Sequence, residues 1–321
     1  MRYRPLGRTG LRVSELGFGA WGIGKFMWIG ADDGESLRAL RRAFELGVNL
    51  VDTALGYGDG HSERLVGQAV RAAAAVHVAT KIPPKNYQWP AACVDPAETF
   101  PADWIVECTE RSLRNLALEA IDLQQLHVWS DDWVGRGDWL EAVERLRRDG
   151  KIRFFGVSLN DFQPANGLRL LETGVVDSVQ VIYNVFEQAP EDELFPATAR
   201  AGAGVIARVP FDEGALTGNV RPETEFPEGD FRNVYFRGER RREVWERARE
   251  IAAALGIGVD ELPAAALRFC LAPDAVSTVI PGMRSVAHVE ANAAAVEAGP
   301  LPAAEVEALR RFRWERGDWY R

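Results

Sequence analysis

The sequence contains little cysteine and no excess of positive charge. Its three cysteines, Cys93, Cys108 and Cys270, are widely spaced, with no CxxC pair and no Cys/His cluster. A zinc site or a disulfide framework needs such groupings, so their absence favours a reducing, cytoplasmic setting. Lys and Arg total 38 against 47 Asp and Glu, a formal net charge of −9. Because nucleic acid attracts basic surfaces, we expect no nucleic-acid partner.

Long apolar runs are also missing. No stretch approaches the ~18 consecutive apolar residues of a membrane-spanning helix, and the first twenty residues lack the apolar centre of a signal peptide. We therefore expect neither secretion nor insertion into a membrane. The chain is nevertheless 47% hydrophobic and 26% charged, which is the composition of a globular protein rather than a disordered one.

Strand-like and helix-like segments alternate along the whole chain. A hairpin pattern covers residues 2–16, and amphipathic stretches such as residues 35–47 and 138–150 separate the apolar runs that follow. The predicted strands cover residues 15–20, 49–54, 77–82, 121–128, 152–159, 178–184, 204–210 and 276–282. Such alternation requires parallel strands joined by helical crossovers. Eight units without a linker predict one α/β domain over residues 1–321, a (β/α)8 TIM barrel with an N-terminal β-hairpin.

Two connections are too long for simple turns. They cover residues 83–101 and 211–238, and both follow strand ends. A (β/α)8 barrel has its active site at the C-terminal ends of its strands, so we expect these loops to form the walls of the mouth. The late helical pattern at residues 303–314 leads into a short tail, residues 317–321, which we expect beside the mouth or the outer ring.

Four polar residues stand at or just after neighbouring predicted strands. Asp52 and Tyr57 follow the second strand, Lys81 ends the third and His127 ends the fourth. Each has an ordinary structural role when taken singly, but a buried Lys needs a partner, and Asp52 supplies one. Lys81 would then lower the pKa of Tyr57, which would act as general acid. A neutral His127 would donate a hydrogen bond to the same substrate oxygen.

The segments that carry these residues resemble the aldo-keto reductase family. The matching segments are VDTALGYGDGHSERLVG at residues 51–67 and, further along, VATK, DLQQLHVW, FFGVS, VQVIYN, PFDEGALTG and IPGMRSVAHVEAN. The resemblance implies a metal-free barrel enzyme that uses NADPH to reduce an aldehyde or ketone reversibly to the alcohol. The family's catalytic tetrad falls on Asp52, Tyr57, Lys81 and His127.

The same resemblance implies a set of cofactor contacts. Ser158 and Gln180 would bind the nicotinamide carboxamide, with Asn160 replacing the usual Asn at position 159. Arg208 stands where many members have an aromatic ring, and its planar guanidinium would cover the nicotinamide face. Arg284 would bind a 2′-phosphate, which favours NADPH over NADH. The remaining implied contacts are Gly19, Trp21, Asp52, Pro210, Phe211, Gly214, Ala215, Leu216, Gly282, Met283, His288 and Asn292. No strand-GxGxxG-helix unit supports a Rossmann mode.

Aromatic residues near the predicted mouth suggest the substrate. The expected substrate contacts are Trp21, Trp28, Tyr57, Trp89, His127 and Trp129. Such a pocket suits a bulky or planar carbonyl compound. Two other functions stay open at this point. One is a cofactor-binding regulatory protein with little turnover, similar to the potassium-channel β subunits, and the other is an isomerase or aldolase in which Lys81 forms a Schiff base. The sequence leaves the oligomeric state open.

Overall fold

Eight parallel strands form a barrel at the centre of the molecule. The structure is a computed structural model that describes residues 1–25, 27–73, 75–91, 94–317 and 319–320. The strands are β1 (Tyr3–Pro5), β2 (Arg12–Ser14), β3 (Phe18–Gly19), β4 (Leu50–Asp52), β5 (His77–Ile82), β6 (Ile121–Leu126), β7 (Ile152–Ser158), β8 (Ser178–Ile182), β9 (Gly204–Arg208) and β10 (Val276–Val279). Strands β3 to β10 pair in sequence order, and parallel bridges from Leu16 to Val279 and from Gly19 to Gly282 join the first to the last. The predicted (β/α)8 fold is confirmed, because each predicted strand contains an observed one.

Helices surround the barrel. They are α1 (Asp33–Glu45), α2 (His61–Val70), α3 (Pro96–Thr99), α4 (Ala102–Leu116), α5 (Trp139–Arg148), α6 (Leu168–Glu172), α7 (Leu194–Ala201), α8 (Arg232–Tyr235), α9 (Arg240–Leu255), α10 (Leu262–Cys270), α11 (Val286–Glu297) and α12 (Ala303–Leu309). Short 3-10 turns cover Gly7–Thr9, Trp21–Ile23, Asp131–Trp133, Ala189–Glu191, Asp212–Thr217, Val259–Glu261 and Arg310–Phe312. Local signals set the ends: the Asp32 side chain accepts the Glu35 N–H at the start of α1, and Gly256 ends α9 in the left-handed conformation.

The hairpin of β1 and β2 closes the N-terminal end of the barrel. Leu6, Leu11 and Val13 are buried and pack with inward-facing strand residues that include Leu50 and Ile206. The Arg4 guanidinium fastens the hairpin to the segment before β10. It donates hydrogen bonds to Glu15 and to the carbonyl oxygens of Leu271, Pro273 and Val276. The barrel floor is therefore made of the first part of the chain bound to a late part.

The two long connections lie at the opposite end, where the sequence predicts the mouth. Residues 211–238 cross to the segment after β3, where the Phe231 N–H donates to the Met27 carbonyl oxygen at 2.8 Å. The Asp230 carboxylate accepts the Ile29 N–H at 3.2 Å. These contacts join two loops across one side of the mouth.

Two further expectations concern cysteines and membranes. Cys108 and Cys270 are buried and free, whereas Cys93 lies outside the described residues. No helix in the described ranges is both long and apolar enough to cross a membrane.

Candidate active site

Four side chains meet at the carboxyl ends of β4, β5 and β6. Lys81 Nζ donates to the Asp52 carboxylate, to the Thr53 carbonyl oxygen at 2.9 Å and to Tyr57 Oη at 3.2 Å. The Tyr57 ring lies edge-on to the His127 ring, with 5.5 Å between centroids. The Lys81 side chain is fully buried, so its charge acts on these partners with little screening by water. The structure thus brings together the four residues that the sequence singles out.

Parallel pairing positions these groups. Asp52 pairs with Ala79 of β5, and Lys81 pairs with Gln125 of β6, so neighbouring strand ends meet at one level. Two glutamine amides complete the shell of the Asp52 carboxylate. Gln125 and Gln180 donate to its Oδ2 at 3.1 and 2.8 Å. Gln125 is not among the predicted site residues, although two adjacent glutamines just before His127 in a predicted strand were a signal for it.

Burial changes the protonation of this group in three ways. It lowers the pKa of Lys81, but Asp52 and Tyr57 outweigh that effect and the net direction is upward, so the ammonium stays charged. Burial raises the pKa of Tyr57, and the Lys81 charge offsets only part of the rise. Lys81 lowers the pKa of Tyr57, as expected, but the net direction is upward because removing the phenolate from water has the larger effect. Burial, Lys81 and Arg208 hold the pKa of His127 well below 6.5, which keeps the ring neutral.

A cavity of about 1340 Å³ opens above these side chains. Ligand pockets for drug-sized molecules run to roughly 300–1,000 Å³, so this cavity has room for a dinucleotide and a small substrate. The predicted residues that line it are Gly19, Trp21, Trp28, Asp52, Tyr57, Trp89, His127, Ser158, Asn160, Gln180, Arg208, Pro210, Phe211, Gly214, Gly282, Arg284, His288 and Asn292. The Trp89 ring stands edge-on to His127 at 4.5 Å, which extends an aromatic wall from the catalytic group.

Some of the predicted site residues do not line the cavity. Trp129 is fully buried and packs edge-on against Trp133 and Trp139, with its ring N–H donating to Asp131. The structure therefore places Trp129 in the core between barrel and helices, because the chain turns outward after β6, and it does not reach the substrate cavity. Ala215, Leu216 and Met283 are also buried and do not line the cavity. Lys81 lies beneath the cavity wall and acts through Tyr57.

Arg208 and Asn160 have protein partners. Arg208 Nη2 donates to the Leu159 carbonyl oxygen at 3.0 Å and to Asp161 at 2.7 Å. Burial lowers the pKa of Arg208, but Asp161 outweighs it and the net direction is upward. The Asn160 side chain accepts the Ala91 N–H at 3.0 Å and donates to Gln163 at 3.0 Å. Asn160 is thus tied to the loop after β5, and Asp161, which the sequence analysis missed, neutralises Arg208.

The loop after β9 has an unusual backbone. Val209, Asp212 and Glu213 have positive φ angles of 57°, 49° and 57°, and Gly214 has 113°. A left-handed conformation is rare for residues other than glycine, above all for a β-branched one. It costs about 1–3 kcal/mol per residue and persists only where the surroundings enforce it, which occurs mostly at functional sites.

The C-terminal tail makes polar contacts with this loop. The buried Asp212 carboxylate pairs with Arg316 and accepts Tyr235 Oη at 3.1 Å, and Glu213 accepts Tyr320 Oη at 2.7 Å. Glu213 and Tyr320 both line the cavity. Burial raises the pKa of Glu213 to about 7. The tail lies beside the mouth, which is one of the two places expected for it. Asp318 and Arg321 lie outside the described residues.

Two arginines flank the Trp28 ring at the cavity wall. Arg284 donates to the Ile29 carbonyl oxygen at 3.0 Å, and its guanidinium lies 5.5 Å from the Trp28 ring. Arg232, which the sequence analysis missed, lies 4.4 Å from the same ring and pairs with Asp230. Burial and Arg232 lower the pKa of Arg284. Two guanidinium groups around one indole suit an anionic ligand.

The residues present fit a nicotinamide dinucleotide. At one end, His127 Nδ1 and Arg208 Nε are buried without a hydrogen-bond partner among the described residues. Gly214 and Gly282 also line the cavity, and a Cβ on Gly282 would meet no atom within 4 Å. Arg232 and Arg284 add guanidinium groups to the same cavity wall. Within the described ranges, no group of three or more His, Cys, Asp or Glu residues is arranged to hold a metal ion.

Comparisons with known proteins agree with this geometry. The sequence profile of the Aldo/keto reductase family matches residues 15–313. Aldo-keto reductase YhdN of Bacillus subtilis is 33% identical over 238 residues, which cover 73% of this chain and 69% of that protein. The NADH-specific methylglyoxal reductase of Escherichia coli is 27% identical over 318 residues, covering 92% and 94%.

Solved structures give the same result. The holo form of aldo-keto reductase AKR11C1 from Bacillus halodurans superposes with a TM-score of 0.76 at 32% identity, covering 98% of this chain and 96% of that one. The apo form of that protein gives a TM-score of 0.70. This chain belongs to the aldo-keto reductase family. It is therefore an enzyme of a family of oxidoreductases that use nicotinamide cofactors and act on small carbonyl substrates.

Proposed function

We propose that the protein is an NADPH-dependent reductase that converts an aldehyde or ketone to the alcohol, with Tyr57 as general acid. The observation that carries the proposal is the fully buried Lys81 ammonium, hydrogen-bonded to both Asp52 and Tyr57 at the edge of the cavity. An ammonium beside a phenol stabilises the phenolate that remains after proton donation. Positioned general acids contribute about 10²–10⁴-fold to rates.

Each member of the tetrad has one task in this proposal. Tyr57 has a proton to give to the substrate oxygen at neutral pH, since the ordinary pKa of tyrosine is about 10 and burial raises it further. Lys81, 3.2 Å from Tyr57 Oη, stabilises the phenolate, and Asp52 keeps Lys81 charged. His127 is neutral, and its imidazole donates a hydrogen bond that orients the carbonyl oxygen.

The cofactor supplies hydride-transfer chemistry when it is bound. In the proposal, Ser158 and Gln180 hold the carboxamide and Arg208 covers the ring face, since all three line the cavity beside Tyr57. Asn160 is a weaker contact than the sequence suggested, because its amide is engaged with Ala91 and Gln163. Gly19, Trp21, Asp52 and Pro210 would also contact the cofactor. The phosphates would lie along Phe211, Gly214, Ala215 and Leu216, and the adenosine along Gly282, Met283, Arg284, His288 and Asn292, with Ala215, Leu216 and Met283 contributing backbone only.

A preference for NADPH is supported by charge at the adenosine end. Arg284 and Arg232 both approach the Trp28 ring, so a 2′-phosphate would meet two guanidinium groups. His288 lines the same part of the cavity, and burial together with Arg284 lowers its pKa. Because the Escherichia coli relative is named as NADH-specific, the preference needs a direct measurement on this chain.

The aromatic wall supports a bulky or planar carbonyl substrate. Trp21 lies 5.7 Å from Trp28 and 5.6 Å from Phe231, and Trp89 stands against His127. All of these rings line the cavity, and the Trp21 ring lies 6.4 Å from the Tyr57 ring. Together they form a large apolar surface next to the proposed proton donor. Burial of an aromatic or extended aliphatic aldehyde against this surface would be favourable. In this proposal residues 1–321 form one barrel domain that acts in the cytoplasm. The single domain is supported by one hydrophobic cluster that includes residues from Leu16 to Trp319.

The two other functions have less support. A Schiff base needs a neutral amine, but the pKa of Lys81 is raised and its Nζ donates to three acceptors. A regulatory protein with little turnover would need only the cofactor groove, whereas this chain also has the complete buried tetrad.

The test combines binding with turnover. We would titrate tryptophan fluorescence with NADPH and NADH, then follow loss of NADPH absorbance with a panel of aromatic and sugar aldehydes. We expect tighter binding of NADPH than of NADH and aldehyde-dependent oxidation. Tyr57→Phe should lower kcat by about 10²–10⁴-fold with little change in the Kd of NADPH.

A matched control removes a hydroxyl at the other end of the barrel. Tyr3→Phe deletes the hydrogen bond from Tyr3 Oη to the Gly47 carbonyl oxygen and should leave kcat unchanged. Full kcat in Tyr57→Phe would contradict its role as general acid. Failure of the wild type to bind either nucleotide would remove the cofactor assignment.

A further inference from the structure

The C-terminal tail, taken as residues 313–317 and 319–320, packs against the strained loop after β9. We name this loop, residues 209–216, the phosphate loop. Arg316 is fully buried, pairs with the Asp212 carboxylate and donates to Tyr235 Oη at 3.0 Å. Tyr320 Oη donates to the Glu213 carboxylate at 2.7 Å. The tail therefore holds two consecutive residues, and these are the two adjacent non-glycine residues with left-handed backbone.

Burial of the Arg316 guanidinium costs free energy that packing of the tail alone would not require. Its guanidinium lies 5.0 Å from the Phe162 ring and 5.4 Å from the Phe186 ring, and its Nε and Nη2 have no hydrogen-bond partner among the described residues. Burial lowers its pKa to about 10, so it remains charged at neutral pH. A buried ion pair with unsatisfied donors adds little net stability compared with an apolar pair. Its value lies in fixing the position of Asp212.

Tyr320 provides a second contact between the tail and the phosphate loop. Its ring packs against Phe231 and Tyr235, with centroids 5.6 and 4.9 Å apart, and its hydroxyl reaches Glu213 in the cavity wall. Phe231 and Tyr235 belong to the same long connection that crosses the mouth. The tail thus clamps both ends of that connection, the phosphate loop at its start and α8 near its end.

We propose that Arg316 and Tyr320 are positioning residues for the cofactor, which hold Asp212 and Glu213 so that the phosphate loop keeps the backbone conformation that binds the pyrophosphate. The inference rests on the proposed function, because that function places the cofactor phosphates on this loop. Left-handed residues can turn backbone N–H groups into an anion-binding concavity. In this loop the Asp212, Gly214 and Leu216 N–H groups bond to the Val209 and Phe211 carbonyl oxygens, so the alternate N–H groups of Glu213 and Ala215 are the ones we assign to the anion. Without the tail, the strained residues would relax and the concavity would be lost before any ligand arrived.

The experiment separates the pyrophosphate from the adenosine end. Arg316→Met keeps the side-chain length and removes the ion pair, whereas Tyr320→Phe removes only the hydrogen bond to Glu213. Each variant would be titrated with NADPH and with 2′-AMP, which carries the adenosine and 2′-phosphate but no pyrophosphate. We expect the Kd of NADPH to rise about tenfold in Arg316→Met and about threefold in Tyr320→Phe, with the Kd of 2′-AMP unchanged in both.

The matched control breaks another ion pair of the same tail. Arg313 bonds Asp192 on the surface at 2.6 Å and does not touch the phosphate loop. Arg313→Met should therefore bind NADPH and 2′-AMP as the wild type does. If Arg316→Met does not fold, Tyr320→Phe and the double variant Asp212→Asn/Arg316→Met, which removes both buried charges, decide the matter.

Three results would overturn the proposal. The first is an unchanged Kd of NADPH in Tyr320→Phe and in the folded Arg316 variant. The second is equal weakening of NADPH and 2′-AMP, which would mean general loosening. The third is a raised KM for the carbonyl substrate at saturating NADPH with an unchanged Kd of NADPH, which would assign the tail to the substrate. Failure of the proposed function would instead appear in the wild type, as absence of NADPH binding.

Discussion

The catalytic end of the cavity and the phosphate loop are built in opposite ways. Asp52 and Lys81 stand on strands whose pairing fixes their positions, and their partners come from other barrel strands or from the segment just after β4. Asp212 and Glu213 stand on a strained loop, and the residues that hold them, Arg316 and Tyr320, are 104 and 107 positions further along the chain. The barrel strands thus fix the positions of the groups to which we assign proton transfer. The geometry proposed for cofactor binding depends on the last turns of the chain.

The largest expected effect concerns the end of the cavity where the barrel strands fix Asp52 and Lys81. Lys81→Met leaves the Asp52 carboxylate buried without its cation, so the free energy of unfolding should fall by about 3–5 kcal/mol and turnover should be lost. The measurement is urea unfolding followed by circular dichroism, together with kcat. The double variant Asp52→Asn/Lys81→Met removes both charges and should regain most of the stability but none of the turnover. A Lys81→Met protein as stable as the wild type would show that strand pairing alone fixes this end.

The second prediction concerns a charge in the strained loop. Burial raises the pKa of Glu213 from 4.5 to about 7 in the folded protein. A raised folded pKa contributes stability that is fully present below pH 4.5 and is lost as pH rises through about 7. The loss amounts to about 3 kcal/mol at most, since each pKa unit corresponds to about 1.4 kcal/mol. Glu213→Gln should lack this loss and gain stability relative to the wild type as pH rises.

The comparison is the unfolding free energy of both proteins at about pH 5 and about pH 8. Glu228 lies exposed in the same long connection, so Glu228→Gln is the matched control and should track the wild type at both values. A constant difference between Glu213→Gln and the wild type across this range would mean that Glu213 keeps an ordinary pKa. The loop would then be less closed to water than its burial indicates.

The smallest expected effect lies at the adenosine end. Arg284→Ala should raise the Kd of NADPH about tenfold and leave the Kd of NADH nearly unchanged, because only NADPH carries the 2′-phosphate. Fluorescence titration with both nucleotides measures this, and Arg237→Ala, at an exposed position of the same mouth, is the control. Equal weakening of both nucleotides would assign Arg284 to the support of Trp28 and leave Arg232 as the phosphate ligand.

The fold and the tetrad were predictable because their signals are local. Polar residues at the ends of apolar runs are visible in the sequence, and parallel order brings neighbouring strand ends together. The direction of the Tyr57 pKa was not predictable, because it depends on how completely the ring is buried. Trp129 shows a similar limit: its position after a strand suggested the mouth, but the path of the chain beyond the strand decides which side the ring faces.

The contacts of the tail were beyond prediction for a different reason. No periodicity or motif connects Arg316 with Asp212. In a sequence, a buried Arg-Asp pair looks the same as two charged residues on the surface. Asp161 and Arg232 were missed in the same way, since each matters through a partner that only the folded loops supply. Residues fixed by strand order can be read from the sequence, whereas residues fixed by loop packing need the structure.

The hairpin that closes the barrel floor has a consequence for how the protein is made. Arg4 leaves the ribosome early, but the carbonyl groups that it binds, at Leu271, Pro273 and Val276, are synthesised 267 to 272 residues later. Contacts between such distant parts of a chain form slowly, because a long loop must close before they stabilise anything. The floor is therefore completed after most of the wall has been translated, and until then the apolar side chains Leu6, Leu11 and Val13 remain without their late partners Ile206 and Ile280.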